Sequence, residues 1–138
     1  MPGFTWDQQN AYLFDIDGTL LRSRDRIHFN SFATSVQRIT GFEVSLAGVP
    51  VHGSTDTAIL ADACRQAQIP AEIMQRHTEA ILEAMREVVA EHRSEMDLLL
   101  MPGVKQVLSY LVAKGALLGL ATGNLAVAKD SMDKIKKK

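Results

Sequence analysis

Two short apolar runs, far apart in the chain, each stop at small polar residues, and that pairing constrains the fold more than any other feature. Residues 11–14 (AYLF), extended by Ile16, stop at Asp17-Gly18-Thr19. Residues 116–121 (ALLGLA) stop at Thr122-Gly123-Asn124. A brief apolar run bounded by a turn signal fits a strand buried on both faces, as in parallel sheets. Parallel strands present ligands at their C-terminal ends. The two polar ends are therefore expected to meet in one site.

The segment between them has helical periodicity. Residues 22–26 are polar and basic and read as a linker. Phe29, Phe32, Ala33, Val36 and Ile39 then recur at helical spacing, with Gly41 as the stop. A loop with Gly48, Pro50 and Gly53 follows. Ser54, Thr55 and Asp56 offer an N-cap for a helix through Ala58, Ile59, Ala63 and Ala67. Pro70 opens a longer helix with Ile73, Met74, His77, Ile81, Ala84, Met85 and Val88 on one face. Residues 98–103 (LLLMPG) end it and lead into a helix carrying Val104, Val107, Leu108 and Leu111, closed by Gly115. Residues 125–138 read as a helix that frays in lysines. The expected order is strand, three helices, helix, strand, helix. This is an α/β arrangement with a helical block between two parallel core strands.

Composition narrows the setting. A chain of 138 residues with 46% apolar and 22% charged residues suits one folded domain and excludes a disordered chain. The net charge of −1 argues against a nucleic-acid or anionic-membrane surface, although residues 129–138 carry a local +3. The single Cys64 excludes an internal disulfide and fits a reducing compartment. No apolar run reaches the ~18 residues of a membrane span. The N-terminus (MPGFTWDQQN) has no apolar signal core. These features point to the cytoplasm, with neither nucleic acid nor membrane as partner.

The chemistry concentrates at Asp15-Ile16-Asp17-Gly18. Residues two apart on a strand share a face, so both carboxylates can address one site. One can attack phosphorus and form an aspartyl-phosphate, splitting a hard displacement into two easier ones. The other can protonate the leaving oxygen and later activate water. Two anions facing a phosphate call for a cation, and oxygen donors favour Mg²⁺. Gly18 lets the backbone turn sharply beside the substrate. The plainer alternative is an Asp-Gly turn bearing two solvated aspartates.

Tyr12-Leu13-Phe14-Asp15-Ile16-Asp17-Gly18-Thr19-Leu20 resembles the first motif of the haloacid dehalogenase-like hydrolases, in the form found in their phosphatases. The resemblance implies a Rossmann-like parallel-sheet core over residues 1–23 and 99–138, with an inserted α-helical cap over 24–98, as in phosphoglycolate phosphatase-like members. It implies Asp15 as nucleophile and Mg²⁺ ligand. It implies Asp17 as general acid/base, with its carbonyl on the metal. Gly18 and Thr19 would lie by the phosphate. Leu120-Ala121-Thr122-Gly123-Asn124 resembles the second motif, which implies phosphate binding at Thr122, Gly123 and Asn124. His52-Gly53-Ser54-Thr55-Asp56 resembles the cap segment that reaches the active site, so Gly53, Ser54 and Thr55 become candidate substrate contacts. His28 could face the site as a cap-hinge residue, but a lone histidine beside Phe29 reads more simply as a packed or surface residue. His77 reads as a half-buried packing residue, and Arg22, Arg24 and Arg26, which could steer anions, read more simply as a solvated linker.

Members of that family carry two further motifs, a lysine and an acidic pair after another strand. Neither Lys129 and Lys134 nor Asp130 and Asp133 stand in those contexts, so the C-terminal half of the core is expected to be lacking. The function expected is Mg²⁺-dependent hydrolysis of a small phosphorylated metabolite. The alternative is an impaired, binding or structural remnant, whose incomplete sheet could pair with a further copy. Transfer of phosphate to a sugar is a third possibility.

Overall fold

The computed structural model describes residue 3 and residues 5–123 of the 138. Along the chain run β1 (Ala11–Phe14), β2 (Leu21–Ser23), α1 (Ile27–Thr40), α2 (Asp56–Gln66) and α3 (Ala71–Glu91). A 3₁₀ turn (Arg93–Glu95), β3 (Leu98–Leu100), α4 (Val104–Ala113) and β4 (Leu117–Leu120) follow. The expected final helix lies outside the described residues.

β1 and β4 pair in parallel, Ala11 opposite Leu117 and Phe14 opposite Leu120. The ladder continues past the strands, since Ala121 N–H donates to the Phe14 carbonyl at 2.8 Å. This bond sets the polar end of one strand beside the polar end of the other. The expectation that both strands are buried on both faces does not hold. Phe14 and Leu120 pack inward with Ile16, Leu20, Leu21 and Val104. Leu13 and Leu117, on the opposite face, are 71% and 74% exposed. An apolar composition marks what a strand face is suited to bury, not what the described residues cover.

Residues 22–26 are not merely a linker, and residues 98–100 do not lead straight into a helix. Leu21–Ser23 and Leu98–Leu100 pair antiparallel, Leu21 opposite Leu100 and Ser23 opposite Leu98. The two crossings between strands and helices thus form a ribbon of their own. Arg24 N–H donates to the Asp97 carbonyl at 2.9 Å, and the two side chains form an ion pair at the same distance.

The helices follow from caps and periodicity. Thr55 Oγ1 accepts the Ala58 N–H at 3.2 Å and starts α2, while Pro70 stands at the N-cap of α3. α1 packs chiefly on α3. Phe32, Val36, Leu60, Ile81 and Met85 are all buried in one cluster, which Leu46 and Val49 of the α1–α2 loop complete. Burying each such side chain contributes roughly 1.5–3 kcal/mol, so this cluster is the main store of stability. The smaller cluster lies between β1, β4, the ribbon and α4. The two do not merge, and the site lies between them. Among the described residues no helix is long and apolar enough to cross a membrane.

Candidate active site

The turn after β1 is built around Ile16. Its side chain is 2% exposed, anchored in the smaller cluster, while Asp15 and Asp17 on either side are exposed. Period-2 alternation thus holds the apolar residue in and turns both carboxylates out together. The Ile16 carbonyl accepts N–H groups from Thr19, Leu20 and Leu21, and Gly18 N–H donates to the Leu21 carbonyl at 2.7 Å. Closing so tight a loop places Gly18 at φ +77°, a left-handed conformation that glycine adopts without a side-chain penalty.

A cavity of about 620 Å³ opens at this point. Its strand-side lining includes Asp15, Asp17, Gly18, Thr122 and Gly123. Its helical-side lining includes His52, Gly53, Ser54, Thr55 and Asp56 from the loop before α2 and the start of α2 itself, with His28, Phe29 and Phe32 from α1. Arg22 and Ser23 of the ribbon form part of the rim. Of the residues singled out from sequence, Thr19 is not in this lining, and its N–H is engaged in the turn at 3.2 Å. Asn124 lies outside the described residues.

Sequence reasoning passed over one pair. His28 Nε2 lies 3.1 Å from Asp56 Oδ1, and Asp56 is 2% exposed. The His28 ring also packs on Phe32, centroids 5.3 Å apart. A buried carboxylate is tolerated only with polar partners, so this is an engaged pair. No spacing signal could have found it. His28 is a lone histidine at the start of an amphipathic helix, and Asp56 reads as one more N-cap residue.

Loop and strand meet by main-chain contact. Asp56 N–H donates to the Gly123 carbonyl at 2.9 Å. A Cβ on Gly123 would lie 2.9 Å from Thr55 Cα and 3.1 Å from its Cγ2. Only glycine permits that approach.

A family model for haloacid dehalogenase-like hydrolases matches residues 9–133, and the chain belongs to that family. No curated protein matches the sequence. Among solved structures the fold is similar to that of a predicted phosphoglycolate phosphatase from Haemophilus somnus 129PT, at 20% identity and a TM-score of 0.59. The match covers 91% of this chain and 56% of that one. The likeness shows a shared α/β fold, and this chain spans little more than half the length of that structure.

Proposed function

We propose that the chain carries the nucleophile end of a phosphomonoester hydrolase acting on a small phosphorylated metabolite, with residues 24–98 as a cap over the site. The observation that carries this is the joint lining of one cavity by Asp15, Asp17 and Thr122 at two adjacent strand ends. The Asp15 carboxylate attacks phosphorus, and the bond from phosphorus to the leaving oxygen breaks as Asp17 protonates that oxygen. Asp17, now a carboxylate, takes a proton from water as the water attacks the aspartyl-phosphate. Phosphate leaves and Asp15 is restored. The Thr122 hydroxyl and the Gly123 N–H donate to the phosphoryl oxygens, while the Gly18 N–H stays within the turn, on the Leu21 carbonyl. The helical wall limits access of bulk water.

The oxygen donors here fit Mg²⁺ in kind, since that ion is held by one or two carboxylates plus water and substrate phosphate. The Asp15 carboxylate and the Asp17 carbonyl would hold it, and when bound it supplies positive charge against the phosphoryl oxygens. Among the described residues no three acidic, histidine or cysteine side chains gather as a metal cluster. One carboxylate and one carbonyl hold Mg²⁺ weakly, so slow turnover is expected of this chain. The buried, unpaired Cys64 is in keeping with a cytoplasmic setting.

The test is hydrolysis of an aryl phosphate by the purified 138-residue chain with and without Mg²⁺, beside Asp15→Asn. Slow, Mg²⁺-dependent turnover that disappears in Asp15→Asn is the expected result. Equal rates in both proteins would reject covalent catalysis at Asp15. No Mg²⁺-dependent turnover in either would favour a binding or structural role.

A further inference from the structure

We propose that Asp56 is a positioning residue that seats the helical wall of the cavity on the Thr122–Gly123 loop, using its side chain toward one helix and its main chain toward the strand end. Asp56 is the first residue of α2. The first N–H groups of a helix have no partner within the helix and must find one elsewhere. Thr55 Oγ1 takes the Ala58 N–H, and the Gly123 carbonyl takes that of Asp56. Part of the capping of α2 is thus supplied by the loop after β4, a segment 67 residues further along the chain.

The side chain makes the second tie. Asp56 Oδ1 meets His28 Nε2 at 3.1 Å, which links the start of α2 to the first turn of α1. The carboxylate also lies at a helix N-terminus, where the helix dipole favours negative charge. Separating the helical wall from the strand end would leave the Asp56 N–H and the Gly123 carbonyl to water. Gly123 gives the seat its shape, because Thr55 occupies the space that a Cβ would need. Gly123, next to Thr122, therefore registers Thr55, next to Ser54 and Gly53, across the cavity. The consequence for substrate rests on reading the cavity as a phosphate-ester site. The seat itself does not.

Amide hydrogen exchange on the complete chain, read by NMR, tests this. In the unsubstituted protein the Asp56 amide is expected to be protected, and more so with Mg²⁺ and inorganic phosphate added. Gly123→Ala forces Thr55 away, and His28→Phe removes the ring nitrogen that faces Asp56 while keeping an aromatic ring against Phe32. In each, the Asp56 amide should exchange roughly fivefold faster or more, with the α3 amides of Ile81 and Met85 unchanged. Asp56→Asn, which keeps an acceptor oxygen toward His28, should retain most of the protection. General destabilisation would speed the Ile81 and Met85 amides as well. An unprotected Asp56 amide in the unsubstituted chain, or one indifferent to Gly123→Ala, would overturn the proposal. Failure of phosphate to bind would instead count against the phosphatase reading, and the exchange rates without phosphate would still decide the seat.

Discussion

The Asp25 carboxylate accepts the main-chain N–H of Asp97 at 2.7 Å, joining segments 72 residues apart. Its other oxygen accepts the Ile27 N–H at 2.9 Å, where α1 begins. One side chain thus fixes both crossings between strands and helices. Partial burial works to raise the Asp25 pKa, but hydrogen bonds from the Ile27 and Asp97 N–H groups, with smaller ones from Ser23 and the Asp25 main chain, together outweigh it and hold the carboxyl below its ordinary value. A depressed folded-state pKa stabilises the fold above the unfolded value near ~3.9 and loses that contribution as pH falls through the folded one. Asp25→Ala should therefore destabilise by about 1–3 kcal/mol at neutral pH. The difference from the unsubstituted chain should shrink below pH ~4 in denaturant titrations at several pH values. A difference that stays constant as the pH is lowered would contradict this account.

Met85 on α3 is 1% exposed in the helical cluster. It is absent from the cavity lining. Met85→Ala should cost roughly 2–5 kcal/mol through lost burial and a residual cavity, a large share of the ~5–15 kcal/mol by which domains are stable. A lower urea midpoint with an unchanged slope is the expected signature.

Cys64 is buried, and burial pushes its thiol pKa up. The thiolate is the reactive form, so the native protein should resist a thiol-specific disulfide reagent near neutral pH. Reactivity should appear with unfolding. A fast full-stoichiometry reaction of the native chain would place Cys64 at the surface.

Gly18 and Gly123 should respond differently to alanine. Nothing lies within 4 Å of a Cβ on Gly18, so only the φ of +77° opposes substitution. Gly18→Ala should cost on the order of 1–2 kcal/mol, measured as a shift in thermal midpoint, with the helical cluster intact by circular dichroism. A loss far beyond that would mean that the turn lacks the room described.

The helices were legible because their cues are long and redundant: Phe32 and Val36 at helical spacing, Thr55 as cap, Pro70 at an N-terminus. The ribbon was not. Leu21–Ser23 and Leu98–Leu100 are three residues each, too short to show a period, and Leu-Leu-Leu suits helix and strand alike. The open face with Leu13 and Leu117 was also hidden, because strand composition does not report whether a covering layer is present. At the site, Asp15, Asp17 and Thr122 were singled out by strand-end position and motif, and the structure gathers them in one cavity. The His28–Asp56 pair joins residues 28 apart on different helices, a tertiary relation with no local pattern.

The ribbon also implies an order of assembly. Pairing β1 with β4 directly would close a loop of about a hundred residues, an entropic cost of roughly 4 kcal/mol. Pairing β2 with β3 around a helical block already collapsed on its own cluster brings those outer strands within a short tether of each other. The nested register, Leu21 opposite Leu100 inside Ala11 opposite Leu117, suits such inside-out closure. Substitutions at Leu21 are then expected to slow refolding in stopped-flow chevrons, whereas substitutions at Leu118 mainly accelerate unfolding. The chain would acquire the strand end that carries Asp15 and Asp17 last, after the walls that surround it.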